Sequence, residues 1–253
     1  MAYIYAVTNQ KGGVGKTTTC ICLGAALAEK GKRVLLVDLD PQGGLTTSLG
    51  FDPDALDNTI YNVFVDESAS MTSVVRETKT PGVCFVPANL DLAGAEGELL
   101  GEIGWDRTLK IALGAVQEDY DYILLDCPPS LGVLTTNALI ASQRVIIPVQ
   151  TEYLAMRGLK QLTNVLAKVR RKGNPEITAK VLRTLHQART IHSTEAASEL
   201  EGVLEGQLYE TIIRRTIKFA EASVAGESIL SYSPNSQGAM MYRELAKEVL
   251  QDE

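Results

Sequence analysis

Short apolar runs alternate along the chain with longer segments in which polar residues interrupt the apolar ones. The runs that predict buried strands lie at residues 4–7, 34–37, 83–86, 122–125, 145–149 and 181–185. Near-continuous apolar runs are typical of parallel strands that are buried on both faces. The pattern also predicts helices at residues 18–30, 60–65, 105–118, 131–141, 152–172 and 237–250. Together these elements predict an α/β fold, doubly wound, with a mostly parallel twisted sheet and helices on both faces.

Composition places the chain among ordinary globular proteins. Hydrophobic residues make up 45% of it and charged residues 22%, and we find no linker, repeat or low-complexity segment, so we expect residues 1–253 to form a single domain. No apolar run approaches the roughly 20 residues that span a bilayer. The first predicted strand begins almost at residue 1, and no basic segment or cleavage site precedes it. We therefore expect no signal peptide, and we expect the protein to be cytoplasmic.

The four cysteines do not predict a metal or redox centre. They are Cys20, Cys22, Cys84 and Cys127, and their spacing is not that of a zinc site. We interpret them as small buried hydrophobic residues of a protein in a reducing compartment.

Charge is unevenly distributed. The net charge of −7 argues against a protein that binds nucleic acid over its whole surface. Residues 157–218, however, hold 12 Lys and Arg against 6 Asp and Glu. This segment is either an ordinary solvated helix surface or a local basic face, and charge alone favours the first interpretation.

A phosphate-binding loop follows the first predicted strand. Residues 8–19 read TNQKGGVGKTTT, a compressed form of the usual pattern. Its glycines let backbone N–H groups surround phosphates at the start of a helix. In such loops Lys16 reaches the β- and γ-phosphates and the Thr17 hydroxyl holds Mg²⁺. The predicted nucleotide-binding residues are Lys11, Gly12, Gly13, Val14, Gly15, Lys16, Thr17 and Thr18.

Two later strands end in acidic residues. Asp38 and Asp40 follow the second predicted strand, and Asp126 follows the fourth, just before a rigid Pro-Pro pair. Ligands of open α/β sheets bind at the carboxyl ends of strands. A carboxylate there can organise Mg²⁺, often through water, or position an attacking water. We therefore predict Thr17, Asp38 and Asp126 as magnesium-site residues.

Six segments together resemble the ParA/Soj family of deviant Walker A ATPases, which segregate DNA. They are KGGVGKTT (11–18), VDLDPQG (37–43), LAGAEGEL (92–99), YDYILLDCPPSLG (120–132), ALIASQRVIIPVQTEYLAMRGL (138–159) and ELAKEVL (244–250). The first, second and fourth are specific for the wider superfamily, and the third and fifth indicate the chromosomal, Soj-like branch. The resemblance covers nearly the whole chain.

The resemblance implies an ATPase that binds ATP and Mg²⁺ and forms a nucleotide-sandwich homodimer. Lys11 would then reach the partner subunit's ATP, like an arginine finger, and Gly12 would lie at the close dimer contact. Lys11, Lys16 and Asp40 would be the catalytic residues, with Asp40 orienting the hydrolytic water. The ATP-bound dimer would bind DNA without sequence preference on the nucleoid, and a ParB/Spo0J-like partner would stimulate slow hydrolysis.

The same resemblance places DNA-binding residues late in the chain. Matching without gaps puts Arg189, Arg215 and Lys218 at these positions, where cations would contact phosphates. Arg214 stands where relatives commonly have proline, and Gln187 where they have Asp, so the adenine contacts stay open. No helix-turn-helix precedes the first strand, so we do not expect sequence-specific DNA recognition.

Related functions remain as alternatives. MinD-type membrane ATPases need a basic amphipathic C-terminal helix, whereas this chain ends in Asp252 and Glu253, so we expect no membrane partner. A ParA-like ATPase that positions a protein cargo on the nucleoid, or a scaffold that barely hydrolyses ATP, would share the same motifs. The sequence does not decide between chromosome segregation, plasmid segregation and cargo positioning.

Overall fold

One sheet runs through the molecule. The structure, a computed structural model, describes residues 1–66, 68–150, 155–186 and 207–252, without the side chains of 155–160 and 186. In these ranges eight strands lie in the order β3-β4-β2-β5-β1-β6-β7-β8. The strands are β1 (Tyr3–Val7), β2 (Val34–Asp38), β3 (Arg76–Glu77), β4 (Val83–Val86), β5 (Tyr122–Asp126), β6 (Arg144–Gln150), β7 (Thr178–His186) and β8 (Leu208–Arg214).

Neighbouring strands are parallel, except that β3 is antiparallel to β4 at one edge. This confirms the predicted mostly parallel sheet. All six predicted strands are present, with β7 extending three residues before and one residue beyond the predicted range. The inner strands β2 and β5 are buried along their whole length, as their unbroken apolar runs predict.

Helices connect the strands. They are α1 (Lys16–Ala28), α2 (Gly44–Ser48), α3 (Ile60–Val65), α4 (Met71–Val74), α5 (Leu92–Leu99), α6 (Thr108–Leu113), α7 (Val133–Ala141), α8 (Ala155–Lys172), α9 (Lys218–Val224), α10 (Ile229–Tyr232) and α11 (Gln237–Gln251). Single 3₁₀ turns lie at Pro53–Ala55 and Trp105–Arg107. Among the described residues, no helix is long and apolar enough to cross a membrane.

The sheet separates two hydrophobic cores. In β1, Ile4 and Ala6 face one core, whereas Tyr5 and Val7 face the other, because successive side chains of a strand point to opposite faces. Helices α3 to α8 cover the first face, and α1, α2 and α9 to α11 cover the second. The prediction of helices on both faces is thus confirmed.

Helix ends differ from the predicted ones where glycine sets the boundary. Helix α1 begins at Lys16 rather than at residue 18, because Gly15 turns the chain into it with a φ of 90°. The helix predicted at 105–118 is a 3₁₀ turn followed by α6, which already ends at Leu113. The helix predicted at 152–172 is described from Ala155 onward.

The cysteines behave as small hydrophobic residues. Cys20, Cys22 and Cys127 are buried and Cys84 is half-buried, and all four are free thiols. Burial raises the pKa of Cys22 to about 12, so its thiol stays protonated and unreactive at neutral pH.

Candidate nucleotide-binding site

The predicted site residues meet at the carboxyl ends of three neighbouring strands. Asp126 at the end of β5 is in register with Val7 of β1 on one side and with Asp38 of β2 on the other. The phosphate-binding loop leaves β1 at this edge, so the loop and the acids share one end of the sheet. The crevice outside such strand ends is where open α/β sheets bind ligands.

The loop has the backbone shape that phosphate binding requires. Gly13 and Gly15 have φ values of 71° and 90°, a region that side chains other than glycine rarely adopt. Gly15 precedes α1 without providing a side-chain cap, so the first N–H groups of this 13-residue helix point to the loop's centre and favour an anion. A methyl group at Gly12 would meet no heavy atom within 4 Å, so the chain itself does not require glycine there.

A cavity of about 460 Å³ opens in front of the loop, a volume typical of small-molecule sites. Its floor is the loop and the start of α1, and its walls come from the ends of β7 and β8 and from α9. The lining residues are Gly12, Gly13, Gly15, Lys16, Thr17, Thr18, Asp40, Pro129, Thr184, Leu185, Ile213, Arg215, Thr216, Phe219, Ala220, Ser223 and Tyr242. All predicted nucleotide-binding residues except Lys11 and Val14 therefore contribute to this cavity.

The predicted magnesium residues Thr17 and Asp126 are in contact. The Thr17 hydroxyl donates a 2.7 Å hydrogen bond to Oδ2 of Asp126. The other oxygen, Oδ1, is buried and has no hydrogen-bond partner in the described chain. A buried carboxylate oxygen without a donor is costly unless a cation or its water shell satisfies it. The pair therefore fits a magnesium ion beside the phosphates.

Burial and, to a lesser extent, the neighbouring Asp38 raise the pKa of Asp126 to about 8, although the Thr17 hydrogen bond and the Lys16 ammonium lower it. Lys16 itself is only 7% exposed. The protein's own electrostatics thus favour a protonated Asp126, and a bound cation would favour the ionised carboxylate.

Asp38 lies deeper and holds the loop that carries Asp40. Its Oδ1 accepts a hydrogen bond from the Asp40 N–H at 3.1 Å, and its Oδ2 accepts from the N–H and the hydroxyl of Thr46 at 2.9 and 2.8 Å. Burial raises the pKa of Asp38 to about 6 against these hydrogen bonds. Both oxygens already have protein donors, so this geometry assigns Asp38 a positioning role, and its magnesium role stays a prediction.

Asp40 is half-buried and lines the cavity. Its Oδ1 accepts a 3.0 Å hydrogen bond from the Gln42 N–H, and its carbonyl oxygen accepts one from the Gly43 N–H at 2.8 Å. The turn holds the carboxylate at the mouth of the cavity, across from the loop. A carboxylate so placed can orient a water molecule.

The second lysine of the loop lies outside the cavity. The Lys11 ammonium donates to Oε1 of Gln150 at 2.9 Å, and the Lys11 N–H donates to Oδ1 of Asn9 at 3.0 Å. Asn9 in turn donates to the carbonyl oxygen of Pro148 at 2.7 Å. Lys11 is thus directed along the end of β6, on the exposed surface beside the loop.

Among the lining residues that sequence reasoning did not place in the site, two have distinctive geometry. The Thr184 hydroxyl donates a buried 2.8 Å hydrogen bond to the carbonyl oxygen of Val14 and so ties β7 to the loop. Leu185 lines the cavity with a φ of 52°, a strained conformation for a leucine that is often found at ligand sites. Neither residue belongs to a motif, so the sequence carried no signal for them.

The predicted DNA-binding residues have different surroundings. Arg215 is exposed but lines the cavity, so it can also reach a bound nucleotide. Lys218 pairs with Glu221 at 2.7 Å and lies 5.8 Å from the ring centre of Tyr232. Arg189 lies outside the described residues, as does Gln187.

The segment after Asp40 contacts the segment around α9. The Ser223 hydroxyl donates to the Ser48 hydroxyl at 2.9 Å. Gly226 packs on Gly50 so closely that a methyl group at Gly226 would lie 2.9 Å from the Gly50 Cα. The Lys79 ammonium donates to the Ala225 carbonyl oxygen at 3.0 Å. The wall of the cavity and the loop of Asp40 are therefore packed together.

Comparison with known proteins gives relatives over nearly the whole chain. Residues 2–179 match a protein family described as an AAA domain. The sporulation initiation inhibitor protein Soj of Bacillus subtilis is 46% identical over 250 residues, which cover 98% of each chain. The chromosome partitioning protein ParA of Caulobacter vibrioides is 39% identical over 253 residues, 99% of this chain and 94% of that protein.

A solved structure has the same architecture. It is described as cobyrinic acid a,c-diamide synthase from Mycobacterium smegmatis with bound ATP analogue and magnesium. It superposes with a TM-score of 0.88 at 41% identity and covers 99% of this chain and 95% of that one. The likeness supports the predicted fold.

The raised pKa of Asp126 predicts how stability depends on pH. An unfolded Asp has a pKa of about 3.9, so the folded protein binds this proton more tightly. The contribution is fully present below that value and is lost as pH rises towards about 8. In urea unfolding with a chelator and no nucleotide, the free energy of unfolding should fall from pH 5 to pH 8. Asp38, whose pKa is raised to about 6, contributes to the lower part of this range, so Asp126→Asn should flatten the slope chiefly above pH 6.

Asp54→Asn is the matched control, because it changes an exposed carboxylate that does not line the cavity, and it should keep the wild-type slope. An unchanged slope in Asp126→Asn would show that Asp126 is not the group that takes up the proton.

Proposed function

Since this chain belongs to the ParA/Soj family of deviant Walker A ATPases, we propose that it hydrolyses ATP as a nucleotide-sandwich dimer and segregates DNA. The ATP-bound dimer would bind DNA without sequence preference, and a ParB/Spo0J-like partner would stimulate hydrolysis. The proposed location is the nucleoid in the cytoplasm.

The observation that carries the proposal is the separation of the two loop lysines. Lys16 is buried and lines the cavity, whereas Lys11 lies outside it on the surface. One subunit therefore holds one cation for its own phosphates and presents a second cation outward. An outward lysine beside a phosphate site is what a dimer with shared nucleotides requires.

The residues suit MgATP. The loop N–H groups and Lys16 would hold the phosphates, and Thr17 and Asp126 would hold Mg²⁺. The bound cation would neutralise charge between the β- and γ-phosphates. Asp40 would orient the attacking water in line with the γ-phosphate, and Lys11 of one subunit would stabilise the charge that develops in the other.

Replacing the two lysines should have different effects. Lys16→Ala should weaken MgATP binding roughly hundredfold, because it removes a buried charge-assisted contact to the phosphates. Lys11→Ala should retain binding but fail to dimerise with ATP. Titration with a fluorescent ATP analogue measures the first effect and sedimentation velocity the second. Equal loss of ATP binding in both variants would contradict the division of roles.

Asp40→Ala should separate binding from turnover. Loss of the carboxylate that orients water should slow hydrolysis by a factor of about 100 or more, so the ATP-bound dimer should accumulate. Phosphate release measures the rate, and sedimentation with MgATP measures the dimer. Asp54→Ala is a control, since Asp54 is an exposed acid in a nearby loop outside the cavity. Normal turnover in Asp40→Ala would remove Asp40 from the mechanism.

DNA binding should depend on the basic surface around α9. Lys218→Glu, and charge reversal at Arg189, should weaken retention of the ATP-bound protein on non-specific DNA without preventing dimerisation. Log affinity falls as log salt concentration rises, and the magnitude of this slope should become smaller by about 1 for each lost phosphate contact. Lys110→Glu, an exposed lysine on α6 on the opposite face of the sheet, should bind DNA normally. Unchanged DNA retention in Lys218→Glu would show that this segment is an ordinary solvated surface.

The name of the Mycobacterium smegmatis relative suggests a second candidate, an ATP-dependent amide synthase. Such an enzyme would use ATP to convert a carboxylate substrate into an amide. The two functions differ in what should accelerate phosphate release from MgATP. Acceleration by DNA, but not by a carboxylic acid with an amine donor, would favour the DNA-segregation function. The reverse dependence would favour the synthase.

A further inference from the structure

A groove lined by both apolar and acidic residues lies on the face of the sheet opposite α1, away from the nucleotide cavity. Its volume is about 560 Å³, and its walls are α3, α4, α5 and α6 with the chain that joins the last two helices. Its apolar lining includes Phe64, Met71, Leu99, Ile103, Ile111 and Ala112.

Three large apolar side chains in or beside this groove are exposed to water. Ile103 is entirely exposed, Ile111 is 75% exposed, and Leu100 beside them is 60% exposed. A single exposed apolar residue needs no explanation, but a cluster at the rim of a groove marks an interaction surface.

The rim is acidic. Asp66, Glu98 and Glu102 line the groove, and no Lys or Arg is among the described lining residues. Residues 91–106, which form α5 and the following turn, hold five acidic residues and no basic one. An occupant must therefore carry both apolar and positively charged groups.

We propose that this groove binds a basic amphipathic segment of another protein. Apolar side chains of the segment enter between Phe64, Ile103 and Ile111, and its Lys or Arg residues meet Glu98, Glu102 and Asp66. This is the helix-in-groove mode of recognition, in which a short segment presents apolar anchors on one side. The proposal goes beyond the ATPase and does not depend on it.

The charge distribution disfavours the other occupants. A second copy of this chain, docked groove to groove, would bring the same acidic rim and meet like charges. DNA and anionic lipid surfaces would be repelled for the same reason.

The groove also shares a helix with the nucleotide site. Glu96 of α5 lies against Gly132, where a methyl group would come within 2.8 Å of its Oε1. Gly132 immediately precedes α7 in the loop that leaves Asp126. A segment bound along α5 would therefore lie one helix away from the magnesium residues.

The test uses a fluorescein-labelled synthetic helix with Leu at helical spacing and Lys elsewhere, and a twin in which Glu replaces Lys. Fluorescence anisotropy with nucleotide-free protein gives both affinities, so a failed ATPase proposal would not affect the result. The Lys peptide should bind saturably and the Glu peptide should not. Ile111→Glu and Glu102→Lys should each weaken binding of the Lys peptide about tenfold.

Matched exposed sites on other parts of the surface serve as controls. Val224→Glu adds the same charge at a side chain that is 91% exposed on α9, and Glu77→Lys reverses an exposed acid on β3. Both should bind the Lys peptide like the wild type. Equal binding of the two peptides, or equal losses in the control variants, would overturn the proposal. Self-association of the nucleotide-free chain that depends on concentration and is abolished by Ile111→Glu would also overturn the proposal, because a second copy of the chain would then occupy the groove.

Discussion

Two buried carboxylates at the ends of neighbouring strands govern the organisation of the site. Asp38 and Asp126 lie in register at the carboxyl ends of β2 and β5, and each is almost completely excluded from water. Two acids so placed disfavour each other's charge. The two carboxylates differ in the hydrogen bonds that they receive. Asp38 receives hydrogen bonds from backbone and side chain, whereas Asp126 keeps one oxygen without a donor. Asp38 therefore organises the surrounding loop, whereas the free oxygen of Asp126 fits the predicted role of this carboxylate in binding a cation.

The hydrogen bonds of Asp38 extend the site into the surrounding fold. Thr46 donates to Asp38 and accepts a 3.0 Å hydrogen bond from the Ala88 N–H with the same hydroxyl. One threonine thus links α2 and the segment after β4 to the end of β2. Because Asp38 also accepts a hydrogen bond from the Asp40 N–H, the position of the Asp40 carboxylate depends on this buried network. A cluster of satisfied polar groups in a low-dielectric interior is rigid.

The sequence predicted those parts of the fold that follow a simple apolar pattern. The buried parallel strands were found because they are continuous apolar runs. Strand β8 was missed since charged and polar residues alternate in LYETIIR, and α5 was missed because Gly94 and Gly97 weaken its helical pattern. In the site, motifs predicted Lys16, Thr17 and Asp126, because each lies in a short segment with a recognisable pattern. The bond from Thr184 to the loop and the place of Arg215 in the cavity wall depend on long-range packing, which no motif encodes. The roles of Lys11 and Gly12 at a dimer contact remain predictions.

The contact between Gly50 and Gly226 has a consequence for protein engineering. The two segments cross with no room for even a methyl group at Gly226, so neither backbone can shift without the other. The stretch from Asp40 to Gly50 and the stretch around α9 therefore behave as one exchangeable module. Chimaeras that graft the cavity wall of a relative onto this chain should transfer both stretches together, with crossover points placed outside them.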